Sequence, residues 1–288
     1  MTDRVLILGA SGKIGSHSAR AFKEAGWKVR LFDRKTDDMA TAAMNCDVIV
    51  NGLNPPNYHD WKTQIPKITH DVINAATKSG ATVLIPGNVY HFGNSVGIWS
   101  ENTPPNPVSR KGKIRLDMER EYAASGVKTI ILRAGNFIDP DGQNCPMSAV
   151  YLRAIKRGKI TLPGPANINQ AMCYLPDWSR AAVALCEKRD QLEKFEDIPF
   201  TGHTLTALDI KAELEQLLNK DLQFVEFPWW LFKLLGPFWE LAREMNEMRY
   251  LWNTDHALSN ERFNALVSNF KVTALNEVMR SALPSDLV

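Results

Sequence analysis

The sequence predicts an α/β protein: a doubly wound parallel sheet with a smaller, mostly helical C-terminal domain. Three observations carry this expectation. Short apolar runs that read as strands buried on both faces alternate with segments whose apolar residues recur at helical spacing, the pattern of successive β-α-β crossovers. Glycines cluster directly after the first run. Past about residue 139 the alternation gives way to a helical, aromatic-rich stretch. With 288 residues, two domains are expected at 1–140 and 141–288, and a strand and helix from about 166–190 should return to the first.

Val5-Leu6-Ile7-Leu8 is the first strand, ended by Gly9. The helix behind it presents Ile14, Ser18, Ala21, Phe22 and Ala25 on one face and stops at Gly26. Trp27–Asp33 and Asp47–Val50 read as further strands, and a helix beginning near His59 carries Trp61, Ile65, Ile68, Val72 and Ala76 inward. Thr82–Ile85 is strand, Lys111–Ala124 helix and Lys128–Leu132 strand. Cys145–Arg157 is expected to be helical, Gly158–Pro165 a short strand and turn, and Asp177 and Thr206 the N-caps of two more helices.

A hydrophobic content of 44% with 23% charged residues excludes a disordered chain, a fibre and a disulfide scaffold. The net charge of +2 argues against nucleic acid as a partner. Cys46, Cys145, Cys173 and Cys186 form no C-x-x-C pair and should be reduced, mostly buried thiols. No secretory-leader pattern follows Met1, and Pro228, Lys233, Pro237 and Glu240 interrupt the longest apolar stretch, Phe227–Leu241. A cytoplasmic location without a membrane span is therefore expected.

Gly9-Ala10-Ser11-Gly12-Lys13-Ile14-Gly15 is G-x-x-G-x-x-G set between a buried strand and an amphipathic helix. Glycine there permits a tight turn, lets backbone N–H groups approach a pyrophosphate and allows close helix–strand packing, while the helix N-terminus supplies positive potential. The bland alternative is a merely tight β-α turn, which leaves three glycines at this spacing unexplained. The context predicts a Rossmann-type domain that binds NAD(P). Asp33, ending the second strand, suits the ribose hydroxyls of NAD, whereas Arg34 and Lys35 suit the 2′-phosphate of NADP. The balance tips slightly to NADP, with Lys13 as a further nearby cation.

These residues resemble the short-chain dehydrogenase/reductase superfamily, in its extended, NAD-dependent epimerase/dehydratase-like branch, from Val5 to about Arg180. Besides the glycine motif, the resemblance rests on Val48-Ile49-Val50-Asn51-Gly52-Leu53, Asn88-Val89-Tyr90-His91-Phe92-Gly93, Leu132-Arg133-Ala134-Gly135-Asn136 and Tyr174-Leu175-Pro176-Asp177-Trp178-Ser179-Arg180. It implies cofactor contacts at Gly9, Ser11, Gly12, Lys13, Ile14, Gly15, Asp33 and Arg34. Further contacts are implied at Asn51, Gly52, Leu53, Asn54, Gly87, Asn88, Lys113, Ala134, Gly135 and Asn136.

Two departures from the family stand out. Active members carry Tyr-x-x-x-Lys, in which tyrosinate is the base; here Lys113 matches the lysine and Ser109 stands in the tyrosine's place. Ile85-Pro86-Gly87-Asn88 likewise replaces the family's serine, so the chain is similar to atypical members without the standard catalytic set. Residues 35–46 are also too few for the helix and strand that extended members insert, so the sheet should lack that edge strand.

Lys113 and Tyr90 are then the candidate catalytic residues, and Tyr58, Trp61 and Tyr90 the candidate substrate-pocket walls. Arg115 shares with Lys113 the region of the family's cofactor lysine, while Lys111 reads as part of a solvated face. His17, His70, His203 and His256 show no metal-ligand spacing, so no metal is expected. The aromatic stretch from Phe227 through Trp252 should be core of the second domain, with a pocket or a homodimer contact as its other uses. The resemblance implies NAD(P)-dependent hydride transfer on a small carbonyl, alcohol or epimerase-type substrate without the usual tyrosine base. A non-catalytic dinucleotide-binding sensor is the alternative.

Overall fold

The computed structural model describes residues 2–142 and 145–287. The first half winds through β1 (Arg4–Leu8), α1 (Lys13–Glu24), β2 (Lys28–Leu31), α2 (Met39–Ala43), β3 (Val48–Asn51), α3 (Trp61–Ser79), β4 (Thr82–Gly87), β5 (Gly97–Trp99), α4 (Arg110–Ser125) and β6 (Thr129–Arg133). It continues through β7 (Asn136–Ile138), β8 (Lys159–Leu162), β9 (Gln170–Tyr174), α5 (Leu175–Glu187), β10 (Phe195–Pro199) and β11 (His203–Leu205). The chain closes with α6 (Ala207–Leu218), β12 (Gln223–Glu226), α7 (Trp229–Leu235), α8 (Glu240–Glu247), β13 (His256–Leu258), α9 (Glu261–Leu266) and α10 (Leu275–Ala282).

Six parallel strands form the central sheet in the order β10-β6-β4-β3-β1-β2. Alternation along β1 shows why such strands must be covered twice. Val5 and Ile7 enter a core built with α1 and α5, while Leu6 and Leu8 enter one built with α2, α3 and α4. The sheet ends at β2, as the short 35–46 segment predicts, and α2 is the only regular element in that gap. The sixth strand, β10, lies beyond the 166–190 segment expected to return to this domain.

Two helical expectations change in the second lobe. Within 145–157 the chain makes a π-turn at Met147–Tyr151 and a 3-10 turn at Ile155–Arg157 instead of one helix, because its apolar residues are drawn into a separate core with β8, α6 and α10. Asp177 sits third in α5, behind Pro176, and does not cap it. Its carboxylate accepts the Thr273 N–H and hydroxyl, each at 2.7 Å, pinning the C-terminal segment. Thr206 caps α6 as expected, in a reciprocal box with Asp209. All four cysteines are free and buried.

Candidate active site

The turn after β1 is built by glycines that leave no room for a side chain. Gly9 has φ +71°, and a Cβ there would lie 2.8 Å from the Gly52 carbonyl oxygen; one at Gly15 would lie 2.2 Å from the Gly9 oxygen. The ends of β1 and β3 and the first turn of α1 are thereby pressed together. Gly12 is different: it is the N-cap of α1, extended at φ −87°, and a Cβ there would meet only the Gly9 oxygen at 3.3 Å. No side chain caps α1, its first turn has no acid, and Ser11 and Gly12 are exposed. Uncapped N–H groups at the positive end of a twelve-residue helix, approached over bare glycine, fit a dinucleotide's diphosphate.

The strand order sets the two ends of such a ligand. On the β2 side, Asp33 turns its carboxylate into its own loop, accepting the Lys35 N–H at 2.9 Å, and Asp33, Arg34 and Lys35 are all exposed. On the other side, the buried Asn51 amide donates to the Tyr122 hydroxyl at 3.3 Å and accepts the Leu53 N–H at 3.2 Å, while Asn54 is exposed. Gly87 and Gly135 are required by packing alone, since Cβ atoms there would run into Ile131 and Ala171. Asn88 accepts the Tyr90 N–H at 3.0 Å and closes the turn after β4. Ala134 is buried, and Asn136 begins β7.

The face of α4 corrects the sequence reading. Ser109 is its N-cap, accepting the Gly112 N–H at 3.0 Å, and the buried residues are Lys111, Gly112, Arg115, Met118, Glu119 and Tyr122. Lys113 is exposed. Two residues advance a helix by about 200°, so Lys113 points away from the side that Lys111 and Arg115 share. The inward pair four residues apart, where the resemblance calls for tyrosine and lysine, is Lys111 and Arg115. Helical periodicity through Met118 and Tyr122 is the signal that would have set this register.

Lys111 is not solvated. It is 2% exposed, and its Nζ lies 2.5 Å from Glu244 Oε2 and 2.6 Å from Glu247 Oε2, both on α8. Arg110 bridges the same carboxylates at 2.9 and 3.0 Å. Burial pushes both carboxyls up, but the bonds and charge of Lys111 and Arg110 outweigh it and hold them below the ordinary carboxylate range.

The same ammonium lies 5.0 Å from the centre of the Tyr58 ring. The Tyr58 and Tyr90 hydroxyls are 3.2 Å apart, and Trp61 meets Tyr58 edge-on at 5.1 Å and stacks on Tyr90 at 6.4 Å between centroids. The fold thus brings together Tyr58, Trp61 and Tyr90 from two different loops. Burial raises both phenol pKa values, that of Tyr90 well above the ordinary tyrosine value. Tyr250 donates its hydroxyl to the Tyr90 carbonyl at 3.3 Å. Arg115, 7% exposed, donates from Nη2 to the Pro86 carbonyl at 2.5 Å, and its buried Nε has no partner among the described residues.

Beneath the cluster, Arg133 is fully buried and bridges Glu119 at 2.9 Å and Asp197 at 2.6 Å. It also donates to the Asn88 carbonyl and, at 3.0 Å, to His91 Nδ1. His91, Glu119 and Asp197 converge closely enough to suggest a cation site, but the guanidinium already bonds all three and occupies that role. Burial, with the charge of Arg133, pushes His91 down to about 3, so it stays neutral. The aromatic stretch divides: Phe227, Trp229, Met248 and Leu251 are buried, whereas Trp230, Leu234 and Phe238 are exposed.

A glycine turn, an uncapped α1 and a six-stranded parallel sheet covered on both faces define a Rossmann-type α/β fold. Residues 5–54 match the model of the NAD dependent epimerase/dehydratase family. Among solved structures, the UDP-glucuronic acid 4-epimerase from Bacillus cereus, in complex with UDP-glucuronic acid and NAD, is 16% identical with a TM-score of 0.76 and 97% of each chain covered. MoeE5, in complex with UDP-glucose and NAD, is 16% identical with a TM-score of 0.75 over 97% of each chain. A nucleoside-diphosphate-sugar epimerase from Pseudomonas aeruginosa is 15% identical with a TM-score of 0.70, covering 98% of this chain and 96% of its own. No curated protein matches the sequence significantly. Among the described residues no helix is long and apolar enough to cross a membrane.

Proposed function

We propose that the chain is a cytoplasmic NAD(P)-dependent hydride-transfer enzyme of the epimerase/dehydratase type, acting on a small carbonyl or alcohol compound. One observation supports this most: the uncapped N-terminus of α1 and the Tyr58–Tyr90–Lys111 cluster stand at the carboxyl ends of neighbouring strands, with the Gly9–Gly52 approach between them. Such a line of strand ends is where open α/β sheets bind their ligands.

In this reading Gly9, Ser11, Gly12, Lys13, Ile14 and Gly15 hold the diphosphate, and Asp33 and Arg34 the adenosine ribose. The segments Asn51–Asn54, Gly87–Asn88 and Ala134–Asn136 line the path to the reactive end. Arg115 takes the part expected of Lys113, its Nε, without a partner among the described residues, offering a donor to a ribose hydroxyl. The bound dinucleotide would supply the hydride acceptor or donor. Tyr58 and Tyr90 move the proton, and Trp61 with the Tyr58 ring forms the apolar wall. The Asp33 oxygen committed to Lys35, with Arg34 and Lys35 exposed beside it, favours NADP. Nucleotide sugars, bound by the structural neighbours, are the first substrates to try.

Titration calorimetry with NADPH and NADH tests the reading. Binding of both, tighter for NADPH, is expected; no heat from either would overturn it.

A further inference from the structure

The groups facing the cluster come from four elements. The loop after β3 supplies Tyr58, and that after β4 supplies Tyr90. Helix α4 supplies Lys111 and Arg115, and α8 supplies Glu244 and Glu247. Nearby histidines are occupied: His59 bonds Glu240 at 2.9 Å on the surface, and His91 is held by Arg133. Glu119 is held by Arg133 as well, and the Ser109 and Tyr250 hydroxyls lie 3.4 Å apart. Both α8 carboxylates are engaged by Lys111 and Arg110, and Glu244 also by Arg243 at 3.3 Å.

At neutral pH every unengaged protic group there is a proton donor. Lys111 occupies the inward α4 position where the resemblance calls for a tyrosinate, and an ammonium held between two carboxylates has no proton-accepting capacity. The two phenols hydrogen-bond each other at 3.2 Å inside an apolar wall, where burial outweighs the lowering charge of Arg115 on Tyr90. A hydroxyl pair so placed keeps its protons until something more basic, such as a forming alkoxide, arrives.

Resting on the dinucleotide reading and narrowing its carbonyl-or-alcohol substrate to the carbonyl, we propose that this site is built for reduction: the Tyr58–Tyr90 hydroxyl pair protonates the oxygen of a carbonyl substrate, and among the described residues no group facing it opens an alcohol oxidation at neutral pH. The carbonyl carbon accepts a hydride from reduced NAD(P)H, its π pair moves to oxygen, and the resulting alkoxide takes one proton from the pair. Water restores that proton, leaving an alcohol and the oxidised dinucleotide. By microscopic reversibility oxidation needs the ionised pair, so its rate follows the tyrosinate fraction. That fraction falls about tenfold per pH unit below the phenol pKa, which in an unperturbed tyrosine is already about 10.

The test is a pair of pH profiles on the intact protein, with an ultraviolet titration of tyrosinate in the wild type and in the Tyr58→Phe and Tyr90→Phe variants. Reduction of a carbonyl panel with NADPH should be flat from about pH 6 to 9, and alcohol oxidation with NADP⁺ should climb about tenfold per unit without a plateau. Neither phenol should ionise below about pH 10. At least one Phe variant should lose about 10²- to 10⁴-fold in reduction while binding NADPH unchanged by calorimetry. An oxidation plateau near neutrality, a tyrosinate signal at pH 7 to 8, or full activity in both variants would overturn the proposal. Absence of dinucleotide binding would instead defeat the reading beneath it, and the ultraviolet titration would still decide the state of the pair.

Discussion

Replacing Lys111 by Met keeps the length of an unbranched side chain and removes the ammonium at the centre of the α4–α8 contact. Glu244, with its side chain 8% exposed, then faces Arg110 and Arg243, and Glu247, at 16%, faces Arg110; both guanidiniums, on side chains 67% and 51% exposed, are screened by water. Removing one partner of a buried ion pair costs about 3 to 5 kcal/mol because the other charge stays buried. Retention of Arg110 and Arg243 puts the expected loss at the lower end, about 3 kcal/mol. For a chain of 288 residues that corresponds to a fall in Tm of about 5 °C, read by circular dichroism at pH 7.

The pH dependence supplies the sign. In the wild type both carboxyls titrate below their ordinary value in the folded state, so their contribution is present above the unfolded pKa and lost as pH falls through the folded one. In the variant burial prevails and raises them, so the penalty is present at pH 7 and relieved on acidification. The Tm gap should therefore narrow toward pH 5, and adding Glu244→Gln should recover part of it. A Tm within about 2 °C of wild type at pH 7 would refute the buried clamp.

Gly15→Ala drives a Cβ to 2.2 Å from the Gly9 oxygen and should destabilise the fold measurably in urea. Gly12→Ala meets only an atom at 3.3 Å and should weaken dinucleotide binding about tenfold at nearly unchanged stability. His91 stays neutral down to about 3 in the fold, whereas the unfolded chain takes a proton near 6.5. Its neutral form thus stabilises above pH 6.5, and that share is lost on acidification. About 2 kcal/mol should go between pH 6.5 and 5, and His91→Gln should flatten the slope in urea titrations. Arg34→Ala should weaken NADPH much more than NADH by calorimetry, and equal losses would refute the lean to NADP.

The strands and glycine turn were legible because their causes are local. Val5 to Leu8 followed by Gly9 is a buried strand and a turn in any context, and the shortage of residues between Arg34 and Asp47 forecasts a sheet ending at β2. The meeting of Tyr58, Trp61 and Tyr90 was legible in outline, since loops at the ends of adjacent parallel strands must converge. The α4 register was lost through anchoring on Lys113 as the nearest lysine, although the spacing of buried positions, not residue identity, decides which side chains face the sheet. Nothing near Lys111 in sequence shows what neutralises it, because its partners lie more than 130 residues away.

That distance explains the form of the site. A buried lysine on α4 needs opposite charge, and α4 has none within reach on the same face except Glu119, which Arg133 already holds. The counter-charges therefore come from α8, and one turn earlier the same helix bonds His59 through Glu240 at 2.9 Å. Helix α8 is thus fastened both to the loop carrying Tyr58 and to the helix carrying Lys111. The aromatic stretch divides for the same reason: Trp229 and Met248 flank α7 and α8 and anchor them inward, leaving Trp230, Leu234 and Phe238 outside. Where the sequence resemblance calls for a tyrosine and a lysine, the inward positions of α4 hold Lys111 and Arg115, neither of them a phenol. Two carboxylates from the second lobe are what keep the substituted lysine in place, and they also leave the phenols as donors.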